Sequence, residues 1–138
     1  MKKSLIFSLL LFTAIAYSQR GKTGDTTFAD RFPPDVFNTV SNASLVLHND
    51  VDHDIIVLVR DQEKKYLRHV YIRNNDSFVF KDLPITRLYV QFKSKEFYFE
   101  DRERTNIDFG DVHTFNFFFD ASQIGNYFVI TEEEFFKP

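Results

Sequence analysis

Residues 66–80 read Tyr66-Leu67-Arg68-His69-Val70-Tyr71-Ile72-Arg73-Asn74-Asn75-Asp76-Ser77-Phe78-Val79-Phe80, and this stretch decides the fold. Two short runs rich in Val, Ile, Phe and Tyr flank Asn74-Asn75-Asp76. Asn and Asp tolerate left-handed backbone and hydrogen-bond their own loops, so the three polar residues read as a turn between two strands.

The same texture extends in both directions. Strands are predicted at 44–48, 54–60, 66–73, 77–80, 87–93, 96–100, 113–119 and 127–131. In 87–93, Leu88, Val90 and Phe92 share one face while Tyr89 and Gln91 share the other; in 113–119, Phe115, Phe117 and Phe119 oppose Thr114, Asn116 and Phe118. Residues 55–59 are continuously apolar, as a strand covered on both faces would be. No run of ten or more residues holds a helical period. The tail 131–136 fits one turn, with Thr131 as cap and Glu134 as its box partner. About seven to eight short strands at close spacing predict an all-β fold, a single antiparallel β-sandwich over 43–138. Before it, 19–42 is polar, carries Gly21, Gly24, Pro33 and Pro34, and reads as an extended lead-in punctuated by Phe28, Phe32 and Phe37.

Residues 71–84, followed by Leu88-Tyr89-Val90, resemble the core of carboxypeptidase-regulatory-like, prealbumin-type β-sandwich modules. There an aromatic strand runs into x-Leu-Pro-x-Gly-x-Tyr-x-Val. Phe78, Phe80, Leu83, Pro84, Tyr89 and Val90 match, over about residues 66–93, while Ile85-Thr86-Arg87 stands where that family places a glycine. The resemblance implies a non-catalytic module for binding or scaffolding, associated with exported and cell-surface proteins.

The first eighteen residues predict export. Lys2 and Lys3 form a positive start, residues 5–16 are uncharged and largely apolar, and Ala16-Tyr17-Ser18 offers a small-x-small cleavage pattern before Gln19. The apolar run is shorter than the roughly twenty residues that cross a bilayer. The expected address is therefore exported: periplasmic, cell-surface or secreted, with no direct membrane anchor. The chain has a formal net charge of −3, two units more negative once Lys2 and Lys3 are gone. That argues against nucleic acid, whose binders carry a basic patch. Cysteine is absent, which excludes disulfides and thiolate chemistry. Such a domain must be held by its core, and of 18 Phe only Phe7 and Phe12 lie in the signal.

Candidate sites are few. Asp50, Asp52 and Asp54 have the alternate spacing that opens a calcium loop, but the sharp-turn position holds Ile55 and the closing position Asp61. A solvated hairpin loop is the plainer reading, and no metal or other cofactor is expected. His48 and His53 lack an identifiable third ligand. His69 reads as a strand-face histidine, and Glu132-Glu133-Glu134 as a solvated face with Phe135 and Phe136 tucked inward. No Gly-x-Ser-x-Gly elbow, His-Glu-x-x-His pair or phosphate-cradling glycine loop is present, so no catalytic residue is assigned. Phe118 falls opposite the row of core-spaced phenylalanines, either covered by a second layer or exposed for a partner. With Phe28, Phe32 and Phe37 of the lead-in it forms the candidate partner-binding set. The expected function is a non-enzymatic binding or accessory subunit of a bacterial envelope assembly. A glycan- or calcium-dependent recognition module is the alternative, and a small hydrolase the third reading.

Overall fold

A computed structural model describes residues 20–118 and 125–138; the segment read as an export signal and Phe119 lie outside the described residues. The strands are β1 (Ser44–Asn49), β2 (Ile55–Arg60), β3 (Tyr66–Ile72), β4 (Asp76–Phe80), β5 (Thr86–Ser94), β6 (Phe97–Asp101), β7 (Thr105–Ile107), β8 (Val112–Phe117) and β9 (Tyr127–Ile130). A single-turn helix, α1 (Glu132–Phe135), follows β9.

Two sheets result. One has the order β4-β1-β8; the other runs β3-β2-β5-β6-β9, with β7 joining β5 beyond the end of β6. All pairings are antiparallel except β1 with β8, which run parallel in the register Leu47↔Phe115. The fold is thus an all-β sandwich rich in antiparallel pairs, with one parallel seam in its smaller sheet. The turn after β3 has Asn75 at φ 57°, as the Asn-Asn-Asp reading requires. Between β4 and β5 the left-handed residue is Asp82 (φ 56°), ahead of Leu83-Pro84, and Thr86 already begins β5.

Period-two alternation builds the core. Leu45 and Leu47 of β1, Phe80 of β4 and Phe117 of β8 meet Ile55, Val57, Val59, Ile72, Leu88 and Val90 of the larger sheet. Every residue of β2 is buried, because its second face is covered as well. The cover is the chain's own two ends. Phe28 and Phe32 from the lead-in and Phe135 and Phe136 from the tail close over Ile56, Leu58 and Tyr66. The Phe32 ring stacks on Tyr66 at 4.5 Å between centroids, Phe28 meets Phe136 edge-on at 4.9 Å, and the Arg31 guanidinium lies 3.4 Å over the Phe136 ring.

The lead-in also occupies the open edge of β3. Gly24 N–H donates to Tyr71 O at 2.9 Å, Tyr71 N–H to Asp25 O at 2.9 Å, and Val36 N–H to Leu67 O at 2.9 Å. Gly24 is at φ 102°, a backbone state that side chains resist, and a Cβ on Gly21 would sit 3.0 Å from the Tyr71 ring. Edge strands left bare are templates for unwanted pairing, so this strap closes one side of the sandwich.

The tail is fixed by a buried cation. Arg60 donates through Nε to Gln91 Oε1 (3.0 Å), through Nη1 to Lys64 O (3.1 Å), and through Nη2 to the carbonyls of Phe135 (2.8 Å) and Lys137 (2.6 Å). Cations at a helix C-terminus satisfy its orphan carbonyls and oppose the dipole. At the other end of α1, Thr131 Oγ1 accepts from Glu134 N–H and the Glu134 carboxylate accepts from Thr131 N–H, the expected capping box.

Candidate functional site

The opposite side of the sandwich is built differently. On the inward face of the larger sheet one register row runs Val70, Val57, Phe92, Phe99, Val129. Val70, Val57 and Phe92 are buried, Phe99 is half-buried and Val129 is 72% exposed. The row therefore passes from core to surface because the five-stranded order outreaches its three-stranded partner. Phe97, in line with Phe99, is 60% exposed.

The rings at this seam are organised. Phe92 stacks on Phe99 at 5.0 Å and meets Phe117 of β8 and Tyr127 of β9 edge-on, each at 5.1 Å. Phe115 lies 4.7 Å from Phe117. Phe118 follows directly after β8 and is 40% exposed, while Phe128, 45% exposed, faces outward beneath the Arg102 guanidinium at 4.2 Å. Among the described residues, β8 and β9 each pair on one side only. Two sheet edges thus lie along this flank, and Phe97 and Val129 stand exposed on the inward face of the larger sheet beside them. A flank of this kind can bury aromatic anchors against another surface, the way interface cores do.

The sequence candidates are distributed unevenly. Phe118 follows Phe117 at the end of β8, on the alternate face from that ring, and is partly exposed. Phe32 is buried and Phe28 half-buried in the chain's own outer layer, so the lead-in spends both on its own sheet. Their assignment as partner-binding residues is corrected on that ground, because packed side chains are not offered to a partner. Phe37 remains exposed, with the Arg68 guanidinium 4.3 Å over its ring.

The aspartate trio is also redistributed. Asp54 accepts both Nε and Nη2 of Arg20 at 2.9 Å, together with the Tyr71 hydroxyl and the Asn74 N–H at 3.0 Å. The Arg20 hydrogen bond, aided by Tyr71 and Asn74, holds its carboxyl well below the usual carboxylate range, against a smaller effect of burial. Asp52 contacts His53 Nδ1 at 2.7 Å, and Asp50 is exposed. Asp54 anchors the lead-in's first residues. Asn49 holds the loop itself, donating to His53 O and Ile72 O and accepting from Val51 N–H.

The histidines are engaged in contacts of the fold. His48 meets the Ser77 hydroxyl across β1 and β4, and His53 meets Ser94. His69 is buried between strand and lead-in. Sequence reading missed Phe97, Phe128 and Val129 as surface groups. Period two puts Phe97 on the face of Phe99 and Val129 on the face of Tyr127, but it carries no signal for where the facing sheet stops. The chain matches no protein-family model, no curated protein and no solved structure. Among the described residues, no helix is long and apolar enough to cross a membrane.

Proposed function

We propose that this protein is an exported, non-enzymatic binding or accessory subunit that docks onto a larger protein of the bacterial cell envelope through its β8–β9 flank. The observation that carries the reading is the burial gradient along Val57, Phe92, Phe99 and Val129. A core row that runs out into the open presents packed, rigid aromatic groups without the ordering cost of a flexible loop. The Lys2/Lys3 start, the short apolar run and the Ala16-x-Ser18 exit support the address. The partial resemblance to prealbumin-type modules supports the accessory role.

The test is affinity purification of the tagged protein from cross-linked envelopes, beside Val129→Arg and Phe97→Arg. Both side chains are exposed, so neither change disturbs the core. A specific envelope protein should accompany the wild type and be lost from both variants. The same protein recovered with all three would remove the flank from consideration, and exported material still beginning at Met1 would remove the address.

A further inference from the structure

His69 lies beneath the lead-in, and its hydrogen bonds define its proton. The Tyr66 hydroxyl is 2.6 Å from Asp35 Oδ1 and 2.7 Å from His69 Nδ1. A carboxylate only accepts, so the single hydroxyl proton goes to Asp35 and the tyrosine oxygen must accept from Nδ1–H. On the other side of the ring, Phe28 N–H donates to Nε2 at 3.1 Å. The chain Phe28 N–H, His69, Tyr66, Asp35 thus closes with a neutral imidazole protonated on Nδ1. Both of its ends, Phe28 and Asp35, belong to the lead-in.

We propose that His69 is a proton-operated latch for the lead-in: protonation of its ring in a mildly acidic medium sets an N–H against the Phe28 N–H and frees residues 20–38 from the outer face of the larger sheet. Two donors facing each other at hydrogen-bond distance leave both unsatisfied in a buried site, the costly arrangement for polar groups. The strap's bonds to the β3 edge are backbone pairs, and Arg20–Asp54 stays charged on both sides.

The surroundings of the ring decide the direction. Leu58 of β2 is its register partner, and the lead-in supplies the Phe32 ring at 5.1 Å and the Asp35 carboxylate. The tail presents Phe135 and Phe136, with Glu132 beyond them facing Arg31 at 3.9 Å. On its own strand, Tyr66 is held protonated by burial and by Asp35, and Arg68 is engaged over the Phe37 and Phe80 rings. Burial pushes the imidazole below its ordinary value, and Asp35 opposes that push only in part. A cationic group with a lowered value in the closed state takes up its proton on opening. The closed form is therefore fully favoured above the ordinary histidine range, about pH 6.5, and loses ground as pH falls below it.

The test is hydrogen–deuterium exchange of the full chain at about pH 7.5 and about pH 5.5, corrected for intrinsic exchange, beside His69→Gln. Glutamine can donate and accept but does not titrate. Peptides from 20–38 should lose up to about tenfold in protection on acidification in the wild type, the ratio of protonated to neutral ring in the opened strap one pH unit below the ordinary histidine value of about 6.5. Peptides from β1 and β5 should keep theirs, and His69→Gln should show no such step whatever its starting protection. Equal protection at both pH values in the wild type, or the same step in His69→Gln, would overturn the latch. Nitrogen-15 spectra of the wild-type ring give a reading that needs no variant. A proton on Nδ1 at neutral pH, with the ring and the Phe28 amide titrating together, is expected; a proton on Nε2 would overturn the proposal.

Discussion

Replacing Arg60 by Met keeps much of the aliphatic stem and deletes the guanidinium. The side chain is 1% exposed, and its head group reaches Gln91, Lys64 O and the last carbonyls of the tail. Hydrogen bonds to charged groups contribute about 1.5–3 kcal/mol each, net of the exchange with water. Burial of the cation offsets part of that gain, and it lowers the Arg60 pKa, with Glu100 opposing. Removing one member of a buried charged network costs about 3–5 kcal/mol, because the partners stay buried and unpaired. We expect a loss in that range, measured by urea unfolding as a shift in midpoint at unchanged slope. The mechanism is tested by combining it with Phe135→Ala, which removes a fully buried ring and should cost about 3–5 kcal/mol alone. Since Arg60 acts by holding the tail that carries Phe135, the double variant should fall short of the sum by at least about 1 kcal/mol. A single-variant loss below about 1 kcal/mol, or strict additivity, would refute the view that Arg60 pins the tail.

Three further outcomes are expected. Phe117→Ala should cost about 3–5 kcal/mol in the same assay, whereas Phe118→Ala should cost less than about 1 kcal/mol, since only Phe117 is buried. Thr131→Ala should cost about 1 kcal/mol by removing the cap on α1, and should raise exchange in the tail before the core. Asp54 has a lowered value when the strap is docked, so its contribution is present above the ordinary carboxylate range and lost as pH falls through and below about 4. Asp54→Asn should abolish that acid-side loosening of residues 20–25, read by hydrogen exchange.

Much of the fold was legible because its signals are local. Eight strands follow from period two and turn residues, and the Thr131–Glu134 box announced α1. The continuous apolar run of β2 correctly implied a second covering layer. Strand β7 was missed because Thr105–Ile107 contains one apolar residue beside a charged run, too short for any period to register. The parallel direction of β8 against β1 was equally hidden, since alternation records which face a side chain takes and says nothing of the partner strand's direction. The site was less legible for a related reason. Phe32 and Phe118 look alike as aromatic residues in polar surroundings, yet the first meets Tyr66 and Phe136 while the second meets solvent. What separates them is long-range packing.

The outer layer over β2 is assembled from residues at opposite ends of the sequence, with Phe28 against Phe136 and Arg31 across from Glu132. Contacts of such wide separation carry a large loop-closure entropy that must be met before they stabilise anything. The inner core, with its hairpins β2–β3 and β5–β6, can form from nearer neighbours. The layer should therefore close last and open first, as a separate kinetic step. During that interval Ile56, Leu58 and Tyr66 stand bare, which makes the nascent or partly unfolded chain, rather than the finished one, the form most exposed to aggregation and the one a holding chaperone would recognise.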